Sequence, residues 1–153
     1  MNKTCFFIGH RDAPDGLLPF LITEVERHIA EYRMGEFVVG HYGNFDTLAA
    51  RAVKEVKLRH PDVRLTLLLP YHPGERAIEI PDGFDGSFYP PMERVPKRLA
   101  IVRANRWMVD HSDYLIAYTW HPASHARDLA EYAQKRAERG LIHVTQLPYH
   151  RQG

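Results

Sequence analysis

Residues 5–11 read Cys5-Phe6-Phe7-Ile8-Gly9-His10-Arg11, and residues 37–46 read Phe37-Val38-Val39-Gly40-His41-Tyr42-Gly43-Asn44-Phe45-Asp46. Each stretch is an apolar run that ends in glycine, and the second runs straight into a helical pattern. A strand that ends this way and opens a helix presents backbone N–H groups, and the helix dipole there favours an anion such as a phosphate. Two such turns on neighbouring strands predict a crevice of the kind in which open α/β sheets bind ligands.

Strands and helices alternate along the rest of the chain. Apolar runs predict strands at residues 4–8, 36–39, 64–69, 113–118 and 141–147. Apolar stripes with helical spacing predict helices at residues 16–33, 45–59, 96–111 and 124–139. This alternation predicts an α/β fold, a single Rossmann-like three-layer domain over residues 1–153. We expect a mostly parallel five-stranded sheet in the order 3-2-1-4-5, with helices on both faces.

Residues 70–95 interrupt this alternation. They are rich in proline and glycine and show no lasting periodicity. A stretch of this length without regular structure is typical of a functional loop or a covering flap. Its aromatic residues Phe84, Phe88 and Tyr89 need a surface to pack on, so we expect an ordered Pro/Gly-rich loop or flap within the domain.

The bulk composition limits the classes of function. The net charge is +1, and 25% of the residues are charged, so no overall field favours nucleic acid or a membrane surface. The single cysteine excludes an intramolecular disulfide and fits a reducing compartment. We therefore expect a cytoplasmic protein that binds neither nucleic acid nor a membrane. The sequence leaves a homo-oligomer open.

The turn from Gly40 to Asp46 is the strongest candidate site. Gly40 and Gly43 permit a positive φ or a close backbone approach to a ligand. Asp46 is able to accept hydrogen bonds from a ribose hydroxyl or from backbone donors. Asn44, Asp46 or Thr47 is also able to cap the helix with no ligand present, and for Asp46 alone the cap is favoured. His41 lies in the same turn. We expect the turn as a whole to bind a ligand.

The first turn carries a weaker candidate set, Gly9, His10 and Arg11. The Arg11 guanidinium is a candidate bidentate partner for a phosphate or carboxylate. The alternative is an ordinary surface arginine after a strand. The glycine turn on the neighbouring strand favours the ligand-binding alternative.

Further candidates lie on the two later helices. Asn105 lies between Val102 and Val109 on an apolar stripe, so its amide either tethers a neighbouring loop or reaches a ligand. Arg106 shares a face with Arg103 and Asp110, which is typical of solvated ion pairs and, beside a phosphate, of a cationic row.

Ser124 and Glu131 belong to the last helix. Ser124 is a candidate ligand contact at the N-terminus of that helix, which it is also placed to cap. Glu131 lies two turns into it, where a surface residue is favoured over a catalytic acid. The histidines are scattered without metal-ligand spacing, so we predict no metal site, and no motif indicates a cofactor.

Three stretches together resemble the SLOG superfamily, which includes the DNA-processing protein DprA and the LOG phosphoribohydrolases. They are Phe7-Ile8-Gly9-His10-Arg11, residues 40–46 with Ala49-Ala50, and residues 103–118. The likeness is closest to the small stand-alone bacterial proteins of that superfamily. The resemblance implies a Rossmann-like fold and a nucleotide-derived ligand at the strand ends. By the same resemblance, the residues that line or shape the site are Gly9, Arg11, Gly40, Gly43, Asp46, Asn105 and Arg106.

The chain departs from that superfamily at two positions. His41 stands where many relatives have a second glycine. Residues 123–125 replace the glycine-rich loop in which the LOG enzymes carry a P-G-G-x-G-T-x-x-E motif, so their best-defined catalytic glutamate has no counterpart. The sequence therefore predicts a domain that binds or senses a nucleotide-like small molecule. The alternative is a nucleotide N-glycosidase, a LOG-like phosphoribohydrolase, with Asp46 or Glu131 as the acid.

Overall fold

A parallel β-sheet forms the centre of the molecule in a computed structural model, which describes residues 3–74, 78–122 and 124–151. Within these residues the strands are β1 (Lys3–Gly9), β2 (Met34–Val39), β3 (Arg64–Leu68), β4 (Gly86–Phe88), β5 (Tyr114–Tyr118) and β6 (His143–Gln146). The α-helices are α1 (Leu18–Tyr32), α2 (Asn44–Lys57), α3 (Lys97–His111) and α4 (His125–Glu138). A short 3-10 helix at Asp15–Leu17 leads into α1.

The described strands lie in the order β4-β3-β2-β1-β5-β6, and every neighbouring pair is parallel. The predicted α/β class is confirmed, and β3-β2-β1-β5-β6 is the order predicted for five strands. The prediction of only five strands was wrong. The sixth, β4, lies within residues 70–95, and at three residues it is too short to show an alternating pattern in the sequence.

The two faces of the sheet carry different helices. Phe7 and Phe37 pack in one buried cluster with residues of α1 and α2, whereas Phe6 and Val38 pack in another with residues of α3 and α4. Successive strand residues alternate between the two apolar layers, which confirms the three-layer architecture. No helix of the described residues is both long and apolar enough to cross a membrane.

The aromatic residues of the predicted flap find the packing that they need. Phe88 lies 5.3 Å from the Trp107 ring on α3, and the Lys54 ammonium lies 5.0 Å from the centre of the Phe84 ring. The Leu69 amide donates to the Phe88 carbonyl at 2.8 Å, which continues the β3–β4 pairing by one step. Residues 75–77 of this segment lie outside the described residues.

His28 is a residue of α1 whose polar side chain lies in the core. It is fully buried, its Nδ1 lies 2.7 Å from the Glu24 carbonyl oxygen, and its Nε2 has no hydrogen-bond partner among the described residues. The rings of Tyr32 and Tyr114 stand edge-on to it, at 5.1 and 5.8 Å between centroids. Burial is the main cause that lowers the pKa of His28 below the usual 6.5. The folded protein therefore holds the ring neutral.

We expect acid to destabilise the protein partly through His28. The unfolded ring takes up a proton below pH 6.5 and the folded ring only at lower pH, so stability falls as the pH drops below 6.5. His28→Leu removes this contribution, which is at most about 1.4 kcal/mol per pH unit for one group. Urea unfolding at a series of pH values from 8 to 5 measures how steeply the free energy of unfolding of the wild type and the variant falls below its value at pH 8. An unchanged slope in the variant contradicts the assignment.

Candidate functional site

Asn44 joins the two glycine-bearing turns at the carboxyl edge of the sheet. Its backbone N–H donates to the Arg11 carbonyl at 2.8 Å. Its side-chain amide donates to the Ala13 carbonyl at 2.6 Å and to Asp15 Oδ1 at 2.8 Å. The predicted adjacency of the two turns is confirmed, because the loop after β1 is bonded directly to the first residue of α2.

Gly43 is required by the close approach of Arg11. Its φ is 132° and its ψ is 173°, a conformation essentially restricted to glycine. A Cβ at this position would lie 2.7 Å from Arg11 Cα. The close backbone approach predicted for a ligand is therefore made here by the chain itself, and Arg11 packs against the turn through its Cα and the first atoms of its side chain.

The other two glycines of the turns are explained by packing against α2. A Cβ at Gly9 would overlap the ring of Phe45, which is fully buried in the core. A Cβ at Gly40 would lie 2.9 Å from Asp46 Oδ2. Both glycines let the first turn of α2 sit directly on the ends of β1 and β2.

Asp46 folds back onto its own turn. Its Oδ2 accepts a hydrogen bond from the Tyr42 backbone N–H at 3.1 Å. Burial raises the pKa of Asp46 to about 6, and the Tyr42 N–H acts in the opposite direction. The N-cap residue of α2 is Gly43, and no side chain of the described residues caps this helix, so the expectation that Asn44, Asp46 or Thr47 caps it was wrong. Asp46 instead accepts from a backbone donor of its own turn. The raised pKa keeps a proton on this carboxyl at mildly acidic pH.

An open cavity lies beside the N-terminus of α2, where Asn44 forms part of its wall. Its volume is about 530 Å³, and its walls are the loop residues 12–16, Asn44, His150 and Arg151. Asp12 and Asp15 supply carboxylates on one wall, whereas His150 and Arg151 supply an imidazole and a guanidinium on another. Of the sequence-predicted site residues, Asn44 is the one that lines this cavity.

His10 marks the point at which the sheet reverses its winding. The chain leaves β1 for α1 on one face and leaves β5 for α4 on the other, and open α/β sheets generally form a crevice at such a point. His10 is buried, and its Nε2 accepts a hydrogen bond from the His121 backbone N–H at 2.8 Å. Burial is the main cause that lowers the pKa of His10. This bond ties the two loops together across the crevice.

The predicted residues on α3 and α4 lie in the helical layer on the opposite face from α2. The Arg106 guanidinium lies 4.2 Å from the centre of the Tyr132 ring. Asn105 is half-buried, as a residue on a partly apolar stripe would be. Val102, which begins that predicted stripe, is 44% exposed, so the stripe is not a buried face at this end. Glu131 is exposed and pairs with Arg127 at 3.3 Å.

Ser124 and His41 complete the predicted set. Ser124 Oγ accepts from the Arg127 N–H at 3.0 Å, which confirms it as the N-cap of α4. His41 is exposed beside the Tyr42 ring, 4.7 Å between centroids. Within the described part of the chain, no group of three histidine, cysteine or acidic side chains is arranged to hold a metal ion.

Sequence reasoning missed residues 12–16, which directly follow the first glycine turn, and it missed two further wall residues, His150 and Arg151. They follow β6 in a stretch without a glycine turn or a helical pattern. They lie more than a hundred positions after Asn44 in the sequence, and only the tertiary fold brings them to the N-terminus of α2. A local sequence pattern therefore could not indicate them.

A solved structure shares this arrangement of strands and helices. The X-ray structure of DNA processing protein A (DprA) from Streptococcus pneumoniae superposes with a TM-score of 0.67 at 16% sequence identity, covering 97% of this chain and 51% of that protein. The chain has a DprA-like, Rossmann-like fold. It spans about half the length of that DprA chain. No protein-family model matches the sequence, and no curated protein matches it.

The geometry of Gly43 predicts a large loss of stability on its replacement. Gly43→Ala suffers both backbone strain of about 1–3 kcal/mol and the contact with Arg11 Cα. Gly140→Ala is the control for a positive φ without a contact, since its φ is 74°, a left-handed value that other residues also adopt, and a Cβ there meets no described atom within 4 Å. We expect the Gly43 variant to lose at least about twice as much unfolding free energy as the control, whose cost is about 1 kcal/mol. Equal losses in urea unfolding would show that the Arg11 contact is unimportant.

Proposed function

We propose that this protein binds a nucleotide or a nucleotide-derived ligand at the carboxyl edge of the sheet, in the cavity beside the α2 N-terminus. The observation that carries the proposal is the position of this cavity, which opens where a glycine turn joins β2 to α2. A helix N-terminus favours anionic groups through its dipole and its N–H donors. Open parallel sheets bind their ligands at this edge.

The polar groups of the cavity suit the two polar ends of a nucleotide. Asn44 uses its amide to hold Asp15, so the Asp15 carboxylate stands on the wall as a hydrogen-bond acceptor. Carboxylates accept hydrogen bonds from ribose hydroxyls, and the same groups repel a phosphate. Arg151 lines the cavity as the cation suited to a phosphate. The proposed ligand therefore places its ribose towards the loop wall.

Filling the cavity tests this proposal. Asp15→Trp places a bulky ring on the exposed loop wall, and Asp62→Trp makes the same change in the exposed turn before β3, at the amino edge. We expect the first variant to bind nucleoside monophosphates at least about tenfold more weakly than the wild type and the second to bind as the wild type does. Calorimetry across a panel of nucleoside monophosphates measures both.

Asp15→Asn removes only the charge, because an asparagine oxygen still accepts from Asn44 and leaves the cavity open. Asp15→Ala removes the acceptor for Asn44 and also leaves the cavity open, so a smaller loss of affinity in this variant than in Asp15→Trp assigns the difference to the filled volume. A wild type without affinity for any nucleotide, or an Asp15→Trp variant that binds as well as the wild type, contradicts the site.

The second candidate function is a nucleotide N-glycosidase, and the raised pKa of Asp46 favours it. A general acid needs a carboxyl that keeps its proton near the working pH, and burial raises the pKa of Asp46 to about 6. Glu131 is a weaker candidate because it is exposed and paired with Arg127. Asp46 does not belong to the cavity wall, so catalysis would require the ligand to reach the β2–α2 turn from another side.

Product analysis distinguishes binding from hydrolysis. If the protein binds its ligand without reaction, prolonged incubation with nucleoside monophosphates releases no free base. Base release by the wild type and its loss in Asp46→Asn would instead establish the glycosidase, because asparagine keeps an acceptor for the Tyr42 N–H but has no proton to donate. Chromatography of the supernatant provides the measurement.

A further inference from the structure

The segment after β6, residues 147–151, crosses the carboxyl edge of the sheet. Leu147 is buried, and its N–H donates to the Ala117 carbonyl at 2.8 Å. Its carbonyl accepts from Trp120 Nε1 at 2.7 Å. From this anchor at the end of β5 the chain runs to the loop that follows β1, since the His150 ring lies 5.9 Å from the Phe20 ring of α1 and against Gly16.

One hydroxyl holds the far end of this segment. Tyr118 ends β5, and its hydroxyl donates to the His150 carbonyl at 3.1 Å. The same hydroxyl accepts from the His150 N–H at 3.1 Å. The Tyr118 ring itself is buried, stacked at 6.5 Å on Phe45 and edge-on to His10, so the hydroxyl is fixed by the core.

The residues of this segment other than Leu147 and His150 lie on the surface. Pro148, Tyr149 and Arg151 are exposed, and the strand pairing of β6 with β5 ends at Gln146. Segments with few buried contacts open at low free-energy cost, while a fixed anchor limits how far they move. The segment is thus anchored at Leu147, which is buried and hydrogen-bonded on both sides, and it is held at His150 by the two hydrogen bonds to Tyr118.

We infer that residues 147–151 form a strap along one wall of the cavity, anchored by Tyr118, and that Arg151, carried by it, supplies the cationic contact to the phosphate of the bound nucleotide. This inference rests on the proposed function. Among the described residues that line the cavity, Arg151 is the only arginine or lysine, and the carboxylates there are those of Asp12 and Asp15. The two hydrogen bonds between Tyr118 and His150 hold this segment beside the loop of residues 12–16, so that Arg151 lines the cavity.

The anchoring of His150 by Tyr118 is tested without any ligand. Tyr118→Phe removes the hydroxyl and keeps the buried ring, and Tyr149→Phe makes the same change at an exposed position of the same segment. Loss of the two hydrogen bonds should raise solvent exchange of the His150 amide roughly tenfold in Tyr118→Phe and leave it unchanged in Tyr149→Phe. NMR exchange rates provide the readout. Equal rates in the two variants overturn the strap.

The phosphate contact is tested with adenosine 5′-monophosphate and adenosine as probes. Arg151→Gln should weaken binding of the monophosphate roughly tenfold and leave adenosine binding unchanged, because only the former carries the phosphate. Arg139→Gln, an exposed change at the end of α4, should alter neither affinity. Equal monophosphate affinities in the two variants overturn the role of Arg151.

Failure of the proposed function is distinguishable from failure of the strap. If the wild type binds neither probe nor any other nucleoside monophosphate, the proposed function and the phosphate role of Arg151 are both wrong. The exchange rates of Tyr118→Phe still decide whether Tyr118 holds the segment.

Discussion

The backbone hydrogen bond from the Asn44 N–H to the Arg11 carbonyl is the contact on which the carboxyl edge of this protein depends. The first N–H groups of a helix have no partner within it, and here the loop after β1 supplies one. The contact brings Arg11 so close that only glycine fits at position 43. The Asn44 side chain then fixes Ala13 and Asp15. One residue thus sets the shape of the loop that forms the wall of the cavity.

This arrangement moves the candidate ligand site away from the glycines themselves. Gly9, Gly40 and Gly43 serve the packing of Phe45, Asp46 and Arg11 respectively. The space left for a ligand lies on the other side of Asn44, between the loop and the segment after β6. The glycines that predicted a phosphate site therefore shape the backbone next to the cavity and do not line the cavity themselves. Specificity would come from the carboxylates of the loop wall and from Arg151.

The fold was more predictable from the sequence than the site. Apolar runs and helical stripes gave the α/β class and the order of the long strands because each long element carries a local periodic signal. The three residues of β4 carry none, and pairing with β3 makes them a strand. At the site, Asn44 was found because it lies in the glycine turn. His150 and Arg151 reach the cavity only through long-range packing held by Tyr118, which no local pattern encodes.

A crystal structure of the protein grown with adenosine 5′-monophosphate tests the central claim most directly, namely that the ligand lies beside the α2 N-terminus. The predicted result is a nucleotide in the cavity formed by residues 12–16, Asn44, His150 and Arg151, with its ribose towards Asp15 and its phosphate towards Arg151. A nucleotide bound elsewhere on the molecule, or an empty cavity at a concentration that saturates binding in solution, would contradict it.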